Sequence, residues 1–379
     1  MGKLPPAITT LREALGMTLV QAGFLLSLVQ GAGMLLGVAF GAVADGLGPK
    51  HSMLLGLCVL ATASALGGFA GGVPMLMGLR VFEGFGLLVV VLPAPGLLRA
   101  LVPPQRVNAM LGLWGTYMPL ATALALLLGP LCIAAFGWRA WWWALAMVSA
   151  LMAVVLARTV PAPSAASAPR SAPPWLSRLR QTLLAPGPWW VAMPFAVYSA
   201  QWGAVIGFLP TIYAQAGMTG ATTGALTALA AAINMLGNLA AGRLLQRGVA
   251  PAWLLRVAFV SMALAAVAAF AGSAEGGLTP ELRYTAVLLF SMIGGLVPAT
   301  LFSLAVRVAP SAHTMSTTVG WLQQWSALGQ FAGPPLVAFV ASQAGGWQFT
   351  WAATGACALV GLLLTRQVAR LPAPPTRAP

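Results

Sequence analysis

The chain has 379 residues, 59% of them hydrophobic and 6% charged, with a mean hydropathy of +0.88. Ordinary soluble domains carry about 25% charged residues. A soluble enzyme, a nucleic-acid-binding domain, a disordered chain and a disulfide-rich secreted module are all excluded, because only a lipid solvent tolerates so little polar surface. The net charge of +14 lies in short connections and is a topology signal, so no nucleic-acid partner is expected. Cys58, Cys132 and Cys357 sit singly inside apolar runs, with no C-x-x-C pair and no nearby histidine. They read as packing residues, and no metal or other cofactor is expected.

In chain order, Leu4 to Gly16 reads as the exit of a helix followed by a loop. Eleven apolar runs of about 20 residues follow, each long enough to cross a hydrocarbon core of ~30 Å as a helix. Their limits are 18–44, 52–72, 74–98, 107–135, 138–157, 188–209, 220–243, 252–272, 283–306, 314–341 and 347–366. The connections are short, as suits antiparallel neighbours. One differs: residues 158–187 hold a proline- and alanine-rich stretch followed by Arg170, Arg178 and Arg180, the composition of a linker. The predicted organisation is an all-α membrane protein with an N-terminal bundle over 1–157, a linker over 158–187 and a C-terminal bundle with a tail over 188–379.

The two bundles are related by a parallel repeat. Gly16-Met17-Thr18, Gly23 and Gly41 recur 201 residues later as Gly217-Met218-Thr219, Gly224 and Gly242, and Leu4-Pro5 matches Leu209-Pro210. A full apolar run precedes Leu209, whereas only three residues precede Leu4. The repeat therefore predicts twelve spans with the first one missing, and the eleven runs are numbered spans 2 to 12.

Orientation follows from Lys and Arg. One set of connections holds fourteen of them (Lys50, Arg99, Arg106, Arg158, Arg170, Arg178, Arg180, Arg243, Arg247, Arg256, Arg307, Arg366, Arg370 and Arg377), and the other holds only Lys3, Arg12, Arg139 and Arg283. The first set, with the linker and the C-terminus, is expected to be cytoplasmic in a bacterial inner membrane.

An ionisable residue inside a span is a candidate for function, since its desolvation is costly. Span 4 has two, Arg80 and Glu83, three residues apart on one helix face. Either they form a packing ion pair, or Arg80 meets an anionic substrate, or Glu83 carries a proton. Polar residues near mid-membrane are Gln30 in span 2, Tyr117 in span 5, Tyr198 and Gln201 in span 7, Asn234 in span 8, and Gln323 and Gln324 in span 11. Spans 3, 6, 9 and 12 have no charge or amide at mid-depth, so they are expected to face lipid and the others a central cavity. Pro93, Pro95, Pro119, Pro194 and Pro298 are candidate helix breaks beside that cavity. Gly31, Gly33, Gly37 and Gly41 in span 2, with Gly329 and Gly333 in span 11, form small-residue faces for close helix approach. Trp141-Trp142-Trp143 and Trp189-Trp190 read as interfacial aromatic belts.

Gly41-Ala-Val-Ala-Asp45-Gly-Leu-Gly48-Pro-Lys50 resembles the G-x-x-x-D-R-x-G-R-K signature of the major facilitator superfamily, with Gly46 and Pro49 in place of two arginines. Gly242-Arg243-Leu-Leu-Gln-Arg247-Gly248 is a weaker echo. Arg80-Val-Phe-Glu83-Gly84 is similar to that family's R-x-x-x-G motif, and Gly129-Pro130 keeps the end of its antiporter motif. Within the superfamily, Arg80 to Gly86, Gly112 to Pro119 and Phe208 to Tyr213 look most like the cyanate-permease and nitroimidazole-transporter branch. The resemblance implies two helical bundles that alternate access to a midplane site, with H+ a candidate coupling ion. It also implies gating roles for Gly41, Asp45, Lys50 and Arg243.

The resulting expectation is a monomeric secondary transporter of a small solute, with small anions among the candidates. Arg80, Glu83, Tyr117, Tyr198, Gln201 and Gln324 are its predicted substrate-binding residues. No G-x-x-x-x-G-K-[ST] motif is present to use ATP. The alternatives are a membrane-embedded enzyme or a non-transporting truncated fragment. Against the enzyme stands the placement of both histidines, His51 and His313, in connections. In-frame codons upstream of Met1 are expected to encode about 20 apolar residues, and DNA sequencing that finds a stop codon directly before Met1 would overturn the missing span.

Overall fold

The computed structural model describes residues 2–17, 19–161, 173–215, 217–218, 221–272 and 278–371. Among these the chain is all-helical. In order the α-helices are α1 (Ile8–Leu15), α2 (Leu19–Leu47), α3 (Pro49–Gly67), α4 (Val73–Val91), α5 (Ala94–Leu101), α6 (Val107–Trp114), α7 (Tyr117–Thr159) and α8 (Trp175–Leu184). They continue as α9 (Pro186–Gln215), α10 (Ala221–Ala232), α11 (Asn234–Gln246), α12 (Pro251–Phe270), α13 (Pro280–Gly294), α14 (Leu296–Val308), α15 (Met315–Ala344) and α16 (Thr350–Val368). Proline in the first turn starts α3, α4, α12 and α13, where its fixed φ is pre-set for a helix and its missing N–H is not needed.

Eight stretches of described residues are long and apolar enough to cross a membrane, where the sequence reading has eleven runs. One of the eight, Pro104–Thr159, holds 56 residues, which at ~1.5 Å per residue exceeds twice the hydrocarbon thickness. It divides at Gly137, whose φ of 80° and ψ of 165° break α7 into two arms. That backbone region is open to glycine and disfavoured for residues with a Cβ. α2 and α15 are outside the eight: of α2 only Leu28–Phe40 counts as a shorter apolar helix, and α15 is diluted by Gln323, Gln324 and Gln330. Pro93, beside Pro95, separates α4 from α5, and Pro298 follows the break at Gly295 between α13 and α14. Pro194 lies inside α9 without a break.

The N-terminal segment differs from the expected helix exit and loop. Residues 5–7 form a 3-10 turn and 8–15 the helix α1. Leu4, Ala7 and Leu11 are fully buried in a cluster with Trp138, Trp141 and Trp142. Burial of the apolar positions 4, 7 and 11, spaced three and four apart, stabilises a helical turn that the loop reading missed. For the same reason Trp141 and Trp142 are core residues, not part of an interfacial belt; only Trp143 is exposed. The signature stretch 41–47 is the last two turns of α2, and the connection to α3 is Gly48 alone, at φ 80°.

The first-half and second-half helices meet along two seams, α2 with α15 and α6 with α11. Both are built on glycine. A Cβ at Gly37 would lie 2.8 Å from the Gly320 carbonyl oxygen, and one at Gly112 would lie 2.8 Å from the Gly242 Cα. Backbone sits on both sides, so neither contact can relax by moving a side chain. Gly37→Val is expected to lower stability by about 1–3 kcal/mol through overpacking, read as an earlier thermal transition in detergent. Gly31, with open space at its Cβ position, is the control: Gly31→Ala is expected to leave the transition in place.

Candidate functional site

Two adjoining cavities lie between the seams. Counted as space open to the centre of a water molecule, their volumes are about 30 and 50 Å³, room for a few waters at ~10–15 Å³ each. The first is lined by α2 (Val29, Gln30, Gly33), α4 (Gly84, Leu87, Leu88, Val91), the start of α7, and α15. The second is lined by the same start of α7 with α9, α11, α14 and α15. No lining residue comes from α3, the second arm of α7, α12 or α16, which are the spans expected to face lipid. Pro119 and Pro298 both line the second cavity.

A hydrogen-bonded chain of neutral side chains crosses this space. Gln30 Nε2 donates to Gln330 Oε1 at 2.8 Å, and Gln330 Nε2 donates to Ser326 Oγ at 3.1 Å. The hydroxyls of Ser326 and Ser199 are 2.8 Å apart, and Gln323 Nε2 donates to the Tyr117 hydroxyl at 3.3 Å. On the far side Asn234 Nδ2 donates to the Tyr198 hydroxyl at 3.1 Å and to the Ser291 carbonyl at 2.6 Å. Aromatic rings wall the same space: Tyr117 packs on Trp114, Trp114 on Phe302, Phe302 on Phe195 and Phe195 on Tyr198. Among the described residues, no charged side chain lines either cavity.

The charged group lies beside this chamber. Arg80, Gly84, Leu87, Leu88 and Val91 follow helical spacing on α4, so Arg80 stands one turn before the residues that line the first cavity. Its Nη1 donates to Glu83 Oε2 at 2.5 Å, and Lys3 Nζ donates to Glu83 Oε1 at 2.5 Å. All three residues are at least nine-tenths buried. Among the described residues, Arg80 Nε and Nη2 have no hydrogen-bond partner. These two nitrogens form one edge of the guanidinium, the edge that fits a carboxylate with two parallel bonds.

The remaining sequence candidates fall elsewhere. Gln324 accepts a bond from the Val38 backbone N–H at 3.1 Å; it ties α15 to α2, and its neighbour Gln323 is the one that lines the cavities. Gln201 is buried at 1% exposure, with both amide atoms lacking a partner among the described residues, and lines neither cavity. Lys50 donates to the carbonyls of Ala157 and Val160, capping the end of α7 as a cation suits a helix C-terminus. Arg243 is exposed in the last turn of α11. The surroundings of Gly41 and Asp45 lie outside what the structure describes. Sequence reasoning missed Lys3, placed in a loop, and Ser326 and Gln330. The last two had a signal, because 323, 326, 327 and 330 form one helical stripe. Gln330→Leu removes the bonds that Gln330 makes to Gln30 and to Ser326, each worth about 0.5–1.5 kcal/mol. It is expected to lower both the thermal transition and solute uptake.

The comparisons with known proteins agree with this architecture. The model of the Major Facilitator Superfamily matches residues 1–334. The 2-nitroimidazole transporter of Escherichia coli is 25% identical over 352 residues, which cover 90% of this chain and 84% of the relative. The tetracenomycin C resistance and export protein of Streptomyces glaucescens is 33% identical over 104 residues, 27% of this chain, and the match spans only 19% of that relative's length. Crystal structures of the E. coli fucose:proton symporter FucP and of the proton:xylose symporter XylE superpose with TM-scores of 0.75 and 0.76 at 18% and 14% identity. They cover 97% of this chain and 95% and 92% of theirs, respectively. With a family match along most of its length and the same helical fold, the chain belongs to the major facilitator superfamily.

Proposed function

We propose that this protein transports a small organic solute with one carboxylate-like end and a flat, weakly polar body. The solute would pass through the seam cavities by alternating access, with the protein working as a monomer in the bacterial inner membrane and its C-terminus cytoplasmic. The observation that carries the reading is the unpartnered Nε and Nη2 edge of Arg80 one turn from a chamber of amides, hydroxyls and aromatic rings. A buried guanidinium edge is costly to leave bare. A carboxylate satisfies it, and the neutral chamber suits the rest of such a molecule. H+ is the proposed coupling ion, supported by proton symport in the names of the two structural neighbours. The 2-nitroimidazole relative supports a flat heteroaromatic body.

The test uses purified protein in proteoliposomes with benzoate, nicotinate and phenylacetate, each beside its amide. Saturable uptake of at least one carboxylate, preferred over its amide and lost with an uncoupler, is expected. Arg80→Lys keeps the charge without the planar fork and is expected to weaken apparent affinity, whereas Arg80→Gln is expected to abolish carboxylate uptake in folded protein. In Arg80→Gln the Glu83 carboxylate keeps Lys3 as its partner, so no charge is orphaned. Carboxylate uptake retained in folded Arg80→Gln, or indifference of the wild type to every carboxylate in the set, would overturn the reading.

A further inference from the structure

Lys3 is held by more than its ion pair. The Trp141 indole N–H donates to the Lys3 carbonyl at 2.9 Å, and the Lys3 ammonium lies 4.5 Å from the centre of the Trp142 ring. The same ammonium donates to Ser64 Oγ at 2.7 Å, and that hydroxyl in turn donates to the Trp142 carbonyl at 2.8 Å. Leu4, Ala7 and Leu11, all fully buried, pin the segment that follows Lys3. At 9% exposure the ammonium does not reach out to water or headgroups as a lysine near a membrane surface ordinarily does.

Its position changes what Arg80 can do. An arginine and a glutamate three residues apart neutralise one another, and the guanidinium is free to engage both carboxylate oxygens. Here Lys3 holds Oε1, so Arg80 reaches Oε2 through Nη1 alone and its Nε and Nη2 edge stays unpartnered. The cluster then contains two cations and one carboxylate, a net charge of one positive in a low-dielectric setting where charges act strongly. A carboxylate gains from that surplus charge, and its uncharged amide does not.

We propose that Lys3 is a specificity-determining residue: by occupying one oxygen of Glu83 it turns a neutral Arg80–Glu83 pair into a cationic receptor that selects a carboxylate over the corresponding amide. The inference rests on the reading that the Arg80 edge takes the solute's carboxylate, and it adds to that site a residue from the segment that precedes α1. Lys3 acts through Glu83 and Arg80 and is a positioning residue.

Benzoate and benzamide uptake into proteoliposomes, with thermal unfolding as the folding control, tests it. Lys3→Met is expected to reduce the preference for benzoate over benzamide by about tenfold, through a higher apparent KM for benzoate rather than a lower maximal rate. Lys3→Arg is expected to restore it. The double variant Lys3→Met, Glu83→Gln removes one charge of each sign, leaves Arg80 as the surplus cation and is expected to recover benzoate affinity. It also keeps the test open if Lys3→Met alone fails to fold. An unchanged preference in folded Lys3→Met, or a folded double variant that does not recover affinity, would overturn the role of Lys3. If those results came with uptake abolished in Arg80→Gln, the Arg80 reading would stand without Lys3. Benzoate uptake that survives Arg80→Gln would instead overturn that reading itself.

Discussion

Lipid tails are as apolar as leucine, so helices in a bilayer gain little from burying apolar surface against each other and associate through close packing and hydrogen bonds instead. The crossings of Gly37 on Gly320 and of Gly112 on Gly242 meet that constraint. Each brings backbone to backbone at a distance any side chain would forbid, and together they form the two seams along which the first and second halves of the chain touch. Because the close contacts lie at two flanks, the middle is left open, and the cavities occupy that gap.

The polar groups follow from the same solvent. Amides and hydroxyls turned toward hydrocarbon would lose their hydrogen bonds to water without replacement. Gln30, Ser199, Gln323, Ser326 and Gln330 instead gather in the gap and bond to one another or to Tyr117. Several of these bonds join helices of opposite halves, Gln30 with Gln330 and Tyr117 with Gln323. They are bonds that a rocking motion would break and a solute could replace. The aromatic chain from Tyr117 to Tyr198 gives the chamber flat walls, and the helix breaks at Pro93 and Gly295 and beside Pro119 lie near it.

Charge is treated differently from polarity. The neutral network lines the chamber, while Lys3, Arg80 and Glu83 are set into the first half among α3, α4 and α7. Both oxygens of Glu83 are satisfied, which offsets its desolvation, whereas among the described residues Arg80 keeps an unfilled edge. This asymmetry within one cluster, a sated anion beside an unsated cation, is the feature on which the proposed solute site rests.

The sequence by itself determined the solvent, the helical class, the near-positions of the spans and which of them would line the interior. Those properties depend on composition and on periodicity along single helices, and both are local. It also marked Arg80, Glu83, Tyr117 and Asn234, because a polar residue inside an apolar run stands out without any partner. Ser326 and Gln330 were legible in principle from the helical stripe that starts at Gln323. Side-chain direction was less so: Gln324 and Gln201 share composition with Gln323, yet each points away from the chamber. The role of Lys3 and the burial of Trp141 and Trp142 were not legible at all. A lysine near a chain start and tryptophans beside an arginine are ordinary interface residues until the fold brings positions 3, 64, 83 and 142 together. Contacts across 61, 78 and 80 residues of sequence have no periodic trace, since they depend on which helices pack against each other, and that only the tertiary structure decided.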